Sequence, residues 1–94
     1  MKIEWVRRAI HAVELHYVYI LQGNPVAAEA FVDRVSSAAN QLRDFPYLGR
    51  MGRVPGTREL VIPDYSVVVV YRLMHQRIEI LHVLHTSRRW PEKL

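Results

Sequence analysis

Thr57-Arg-Glu-Leu-Val-Ile-Pro-Asp-Tyr-Ser-Val-Val-Val-Val-Tyr-Arg-Leu-Met-His-Gln-Arg-Ile-Glu-Ile-Leu-His-Val-Leu-His85 decides the fold. It holds three runs suited to strands, separated by two short turn signals. Thr57 to Ile62 is the first run, with Arg58, Leu60 and Ile62 on one face. Pro63-Asp64 marks a turn. Ser66 to Met74 is apolar on both faces near its start, which predicts a central strand. His75-Gln76 makes a tight connection without the Asn-Gly signature of the best two-residue hairpins. In Arg77 to His85, strict alternation puts Ile78, Ile80, His82 and Leu84 on one face, and Arg77, Glu79, Leu81, Val83 and His85 on the other. The stretch therefore reads as a three-stranded antiparallel meander.

Upstream, Lys2 to Val6 reads as a short strand. Arg7 to Leu21 reads as a helix whose stripe is Ile10, Val13, Tyr17 and Ile20, at spacings of 3, 4 and 3. Gly23 is placed as its C-terminal glycine. Asn24 then caps a second helix with Pro25 at its first position, where a missing N–H costs nothing. Phe31, Val35, Ala38 and Leu42 form the buried stripe of that helix, and Phe45-Pro46 stops it. The connection between the helices is so short that they must form an antiparallel hairpin. Tyr47 to Gly56 is a loop. The expected fold is α+β: a strand, an antiparallel helix hairpin covering one face of the sheet, then the meander. Periodicity does not say where the first strand pairs.

The chain is 94 residues long and half hydrophobic, which predicts one globular domain over residues 1–94. No apolar stretch has the ~18 residues of a membrane span. Met1-Lys2-Ile3-Glu4-Trp5 enters structure without an apolar leader. There is no cysteine, so disulfides and thiolate chemistry are excluded, which suits the cytoplasm. The formal charge of +4 is unevenly spread. Residues 1–44 carry five Lys/Arg and five Asp/Glu, whereas residues 45–94 carry eight and four, so the excess lies wholly in the second half. A basic face attracts nucleic acid or an acidic protein.

No metal or cofactor site is expected. His11 and His16 are five apart on a helix, the wrong spacing for a shared ligand face, and Gly49-Arg50-Met51-Gly52-Arg53 lacks the strand and helix of a phosphate loop. The basic residues carry more information. Arg50 and Arg53 sit in the glycine loop, Arg58 opens the first strand of the meander, and Arg88, Arg89 and Trp90 follow the last. Reading the meander as bringing Arg58 and His85 to one rim gives a candidate target-binding surface of Arg50, Arg53, Arg58, Arg88, Arg89 and Trp90. Guanidinium forks suit phosphates and carboxylates, indole suits stacking, and imidazole transfers protons near neutral pH. Each has an alternative: Arg58 paired with a strand carboxylate such as Glu79, His85 tying down the tail, Trp90 folded back on the core.

Taken in order, "KIEW", "GNPVAAEAFVDRV", "DFPYLGRMGRVPGTRELVI", "VVVVYRL" and "IEILHVLHTSRRWP" resemble the RelE/ParE superfamily of toxins from bacterial type II toxin–antitoxin systems. The resemblance covers nearly the whole chain and implies the fold read above, with a short acidic antitoxin as partner. RelE-like members cut messenger RNA on the ribosome without metal; ParE-like members poison DNA gyrase. The RelE-like catalytic arginine lies three residues before the tyrosine of a Val-Tyr pair. Here that pair is Val70-Tyr71 and the position holds Val68. Leu84-His85 followed by Arg88 is similar to the ParE-like ending, although Arg89-Trp90 departs from both branches. The resemblance thus favours the gyrase-directed branch. The alternative is an endoribonuclease using His85, Arg58 and Arg88. An antitoxin segment would find room over the small side chains Ala9, Ala12, Ala27 and Ala28, unless these only let the helices pack closely.

Overall fold

The structure is a computed structural model describing residues 1–87, 90, 91 and 93; Arg88 and Arg89 lie outside the described residues. Strand β1 (Lys2–Trp5) leads into helices α1 (Arg7–Leu21) and α2 (Pro25–Gln41). A two-residue strand β2 (Arg50–Met51) precedes β3 (Arg58–Ile62), a 3-10 turn at Pro63–Tyr65, β4 (Val67–Met74) and β5 (Arg77–His85). The five strands form one sheet in the order β1-β5-β4-β3-β2. The meander and the helix hairpin are as the sequence predicts. β1 adds parallel to β5, Lys2 beside Arg77 and Trp5 beside Ile80, and β2 turns part of the expected loop into an edge strand on β3.

α2 buries the stripe its sequence announces: Phe31, Val35, Ala38 and Leu42 are each at most 2% exposed. Its start is fixed by Asn24, whose Oδ1 accepts the Ala27 N–H at 3.1 Å, with Pro25 next. Asn24→Ala is expected to cost about 1 kcal/mol and to lower the thermal midpoint by ~4–8 °C, as followed by circular dichroism. Gly23 does not adopt the left-handed conformation; the turn closes instead with the Gly23 and Asn24 N–H groups both on the Ile20 carbonyl.

α1 keeps part of its predicted stripe, with Val13 and Ile20 half-buried against the core, and shifts the rest. Ile10 is 46% exposed, and the buried positions are Ala9 and Ala12, one residue earlier on the helix. Ala28 is also fully buried and Ala27 half-buried. A methyl at these positions lets two backbones approach where a larger group would separate them. Ala9, Ala12 and Ala28 are therefore packing residues and not an open surface, which corrects their reading as room for a partner.

β4 is buried on both faces: Val67, Val68, Val69, Val70 and Tyr71 are each at most 1% exposed. Val67, Val69 and Tyr71 join the core beneath the helices together with Ile62, Ile78, Ile80 and Val83. Ile80 and Val83 share that face because the β4–β5 ladder shifts register: Val70 pairs with His82, Tyr71 with Ile80, and Leu81 is the extra residue. A bulge adds one residue to one strand and so reverses its alternation beyond that point. Strict alternation along β5 therefore fails after Ile80.

Candidate target-binding rim and histidine cleft

The pairing also overturns the single rim. β3 and β5 each run antiparallel to β4, so they run parallel to one another. Arg58 lies beside Tyr71 on β4, whereas His85 lies beside Val67. Four positions along β4 separate them, about 13 Å at the usual rise. Two reversals restore the direction of a chain, and Arg58 and His85 sit at opposite ends of the sheet. The structure divides the predicted residues between two places.

The first is built around Glu59. Its carboxylate is 2% exposed on β3. Oε1 accepts from Arg50 Nη2 at 3.0 Å and Nε at 3.3 Å; Oε2 accepts the Arg53 backbone N–H at 2.8 Å, with Arg53 Nε 3.6 Å away. A buried carboxylate is costly unless charge and hydrogen bonds surround it; here two guanidiniums and an amide do so. The loop that presents them is itself tied down. Gly52 N–H donates to the Thr57 carbonyl at 2.8 Å, and Thr57 Oγ1 donates to the Val54 carbonyl at 2.7 Å. Arg53 and Arg50 keep their heads about half-exposed. The Arg53 guanidinium carbon lies 3.5 Å from the centroid of the Trp90 ring, a cation–π stack. Trp90 thus stacks on a cation of the candidate site rather than joining the core cluster.

Arg58 serves the same loop from the other side. Its Nε donates to the Gly49 carbonyl at 2.9 Å and Nη2 to the Tyr47 carbonyl at 3.4 Å, and its guanidinium carbon lies 5.2 Å from the Tyr47 ring centroid. It has not paired with Glu79, which instead accepts from Arg72 Nε at 2.7 Å. Around Arg58 the apolar side chains Phe45, Tyr47, Leu48 and Met51 are 63%, 70%, 50% and 75% exposed. An exposed cluster of this kind beside two guanidiniums is the composition of an interface core.

The second place is a cleft of about 720 Å³ between α1 and the end of β5. His85 lines it, with His82, Arg8, His11 and His16. The His85 Nδ1 accepts the Ser87 N–H at 3.2 Å and contacts Ser87 Oγ at 2.9 Å, tying down the turn after β5. The His82 Nδ1 accepts the Val83 N–H at 2.9 Å. Burial pushes the His82 imidazole below the ordinary histidine pKa, and the charges of Arg8 and His16 push the same way. Alternation placed His82 and His85 on opposite faces; both nevertheless line this one cleft. Among the described residues, no group of histidines and carboxylates is arranged to hold a metal ion.

The sequence matches the family described as "ParE toxin of type II toxin-antitoxin system, parDE" over residues 3–90. The chain belongs to the ParE toxin family. Y4kP of Sinorhizobium fredii is 37% identical over 93 residues, covering 99% of this chain and 96% of that protein. Toxin RelE2 of Caulobacter vibrioides is 28% identical over 87 residues, covering 93% and 97%. Among solved structures, the chromosomal ParDE toxin–antitoxin system of P. aeruginosa superposes with a TM-score of 0.72 at 21% identity, covering 93% of this chain and 97% of the other. The isolated E. coli RelE toxin gives 0.59 at 10% identity, covering 94% and 86%. These likenesses place the ParE-family fold within the RelE/ParE superfamily, as the sequence predicts. The protein is a toxin of a type II toxin–antitoxin system, and membership implies a cognate antitoxin. Among the described residues no helix is long and apolar enough to cross a membrane.

Proposed function

We propose that this toxin inhibits DNA gyrase and is neutralised by its cognate antitoxin. One observation carries the reading: at the β4 position where RelE-like toxins hold their cleaving arginine, this chain has Val68, 1% exposed in the middle of the sheet. Phosphodiester cleavage by a 2′-hydroxyl needs a base, an acid and a cation for the charge that develops on phosphorus. Arg58 and His85, the two described candidates for those roles, stand at opposite ends of the sheet. The loop of Arg50, Arg53 and Arg58, with Trp90 and the exposed Tyr47 and Met51, supports a binding surface better than a reaction centre. Arg88 and Arg89 belong to the same proposed surface by sequence. The antitoxin, an acidic amphipathic partner, has exposed apolar side chains to cover on the helix hairpin: Ile10, Leu15, Val18, Tyr19 and Val26.

Purified toxin is expected to block gyrase supercoiling or to trap cleaved DNA at micromolar concentration. Arg53→Ala is expected to weaken the inhibition at least ~10-fold, about 1.4 kcal/mol, while His85→Gln leaves it unchanged. Unimpaired supercoiling, with cuts in messenger RNA on ribosomes that His85→Gln abolishes, would replace this reading with the endoribonuclease one.

A further inference from the structure

The histidine cleft collects one guanidinium and four imidazoles. Arg8, His11 and His16 enter it from α1, and His82 and His85 from β5. The other polar groups at its walls are the phenols Tyr19 of α1 and Tyr65 of the turn before β4; α2 contributes Phe31. Among the described residues no carboxylate lines it. Arg8 Nη1 donates to the Lys93 carbonyl at 2.7 Å, a neutral acceptor. The outer edge of β5 is open here as well: β1 pairs only as far as Ile80, and the Val6 N–H on the Ile80 carbonyl is the last bond of that ladder. Both β5 imidazoles use Nδ1 to accept a backbone N–H, so each neutral ring carries its proton on Nε2 and is a donor there.

We propose that this cleft is a binding site for a tetrahedral oxyanion of the phosphate class, held by Arg8 with His82 and His85. A charge-assisted contact from a guanidinium, with two N–H donors beside it, is the set such an anion requires. The apolar walls lower the local dielectric and so strengthen those contacts. Binding takes up protons. Burial and the neighbouring Arg8 and His16 oppose a charged His82 in the empty cleft; a dianion among the same groups reverses that balance. Affinity therefore rises as pH falls toward and below the ordinary histidine range. This site lies on the α1 side of β5, across β4 from the Glu59 loop, so it does not depend on which cellular target that loop engages.

The test uses sulfate, which stays a dianion throughout the titration, so that any pH dependence belongs to the protein. Histidine carbon and nitrogen resonances of the full-length toxin are followed against sodium sulfate, with sodium chloride at matched ionic strength. The expected result is a saturable shift of the His82 and His85 signals at pH 6, weaker by at least ~10-fold at pH 8. Arg8→Gln is expected to lose the response while keeping the spectrum of the folded chain, and His75→Gln, outside the cleft, to retain it. Inorganic phosphate and adenosine monophosphate then separate the sources: tighter nucleotide binding assigns the site to a nucleotide phosphate, weaker binding to the free ion. Shifts that chloride reproduces, or that survive Arg8→Gln, would overturn the proposal.

Discussion

Tyr71→Phe is expected to be among the most damaging single-atom changes this chain can suffer. Tyr71 is fully buried on β4 and its hydroxyl bonds twice to the stretch after α2. It donates to the Pro46 carbonyl at 2.8 Å and accepts the Gly49 N–H at 2.9 Å. Phenylalanine fills the same space and leaves both backbone groups without a partner. A buried donor or acceptor left unpaired costs about 1–3 kcal/mol, so the pair amounts to about 2–4 kcal/mol once some relaxation toward water is allowed. In a domain of this length that lowers the thermal midpoint by ~10–20 °C. Calorimetry reads the midpoint, and exchange of the Gly49 amide reads where the loss occurs. Gly49→Ala approaches the same junction from the other side: a Cβ there would stand 2.7 Å from Tyr71 Cε1 and 2.9 Å from the Glu59 carbonyl oxygen. The Glu59 oxygen is backbone and cannot step aside. A midpoint for Tyr71→Phe within about 3 °C of the parent would mean that the loop does not hang on this hydroxyl.

The role of Tyr71 shows how far the sequence could be read. Its place in the core follows from the apolar run around it, and β4 as the central strand follows from the same run. What the hydroxyl does depends on a loop 22 residues away in the chain, which no periodicity reports. The same holds for Glu59. Its flanks, Arg58 and Leu60, mark a strand, but only the pairing of β2 on β3 brings Arg50 to its carboxylate. The bulge left a trace that alternation alone overlooks: Ile80 and Leu81 are adjacent apolar residues, and the pattern resumes at Val83 out of phase. Reading that doubled position as a phase break would have put Val83 and His85 on the helix side. The α1 stripe was incomplete for a different reason: Val13 and Ile20 do pack against the core, but the fully buried positions are alanines. Alanine carries little hydrophobic weight in a pattern count, yet Ala9 and Ala12 sit at the closest approach, where a bulkier side chain would not fit.

The division of the basic residues between the loop on β3 and the cleft on β5 changes what each can do. Arg50 and Arg53 are held in one anchored loop, and Trp90 stacks on Arg53 there. His85 belongs with α1 and the other histidines. A toxin so built separates the surface proposed to meet its target from the cleft proposed to sense anions and protons. The first is organised by a buried carboxylate; the second has no carboxylate among its described lining residues.

That carboxylate gives the second large effect. Glu59→Ala is expected to destabilise the chain by about 2–3 kcal/mol, below the 3–5 kcal/mol typical of breaking a fully buried pair because both guanidinium heads are half in water. The loss has three sources: the Arg53 backbone N–H and the Arg50 guanidinium lose their acceptor, and two like charges are left facing each other. Glu59→Gln separates them. Its single carbonyl oxygen satisfies either the Arg53 amide or Arg50, not both, and supplies no charge, so it should recover only part of the stability. Gyrase inhibition, if the loop engages that target, should fall further in Glu59→Ala than in Arg50→Ala, since the former releases the whole loop and the latter one contact. Denaturant midpoints for Glu59→Ala, Arg50→Ala and the double variant decide whether the pair acts as a unit: coupling of at least about 1 kcal/mol is expected. Additive losses, or a Glu59→Gln variant as stable as the parent, would show that the arginines hold their positions without it.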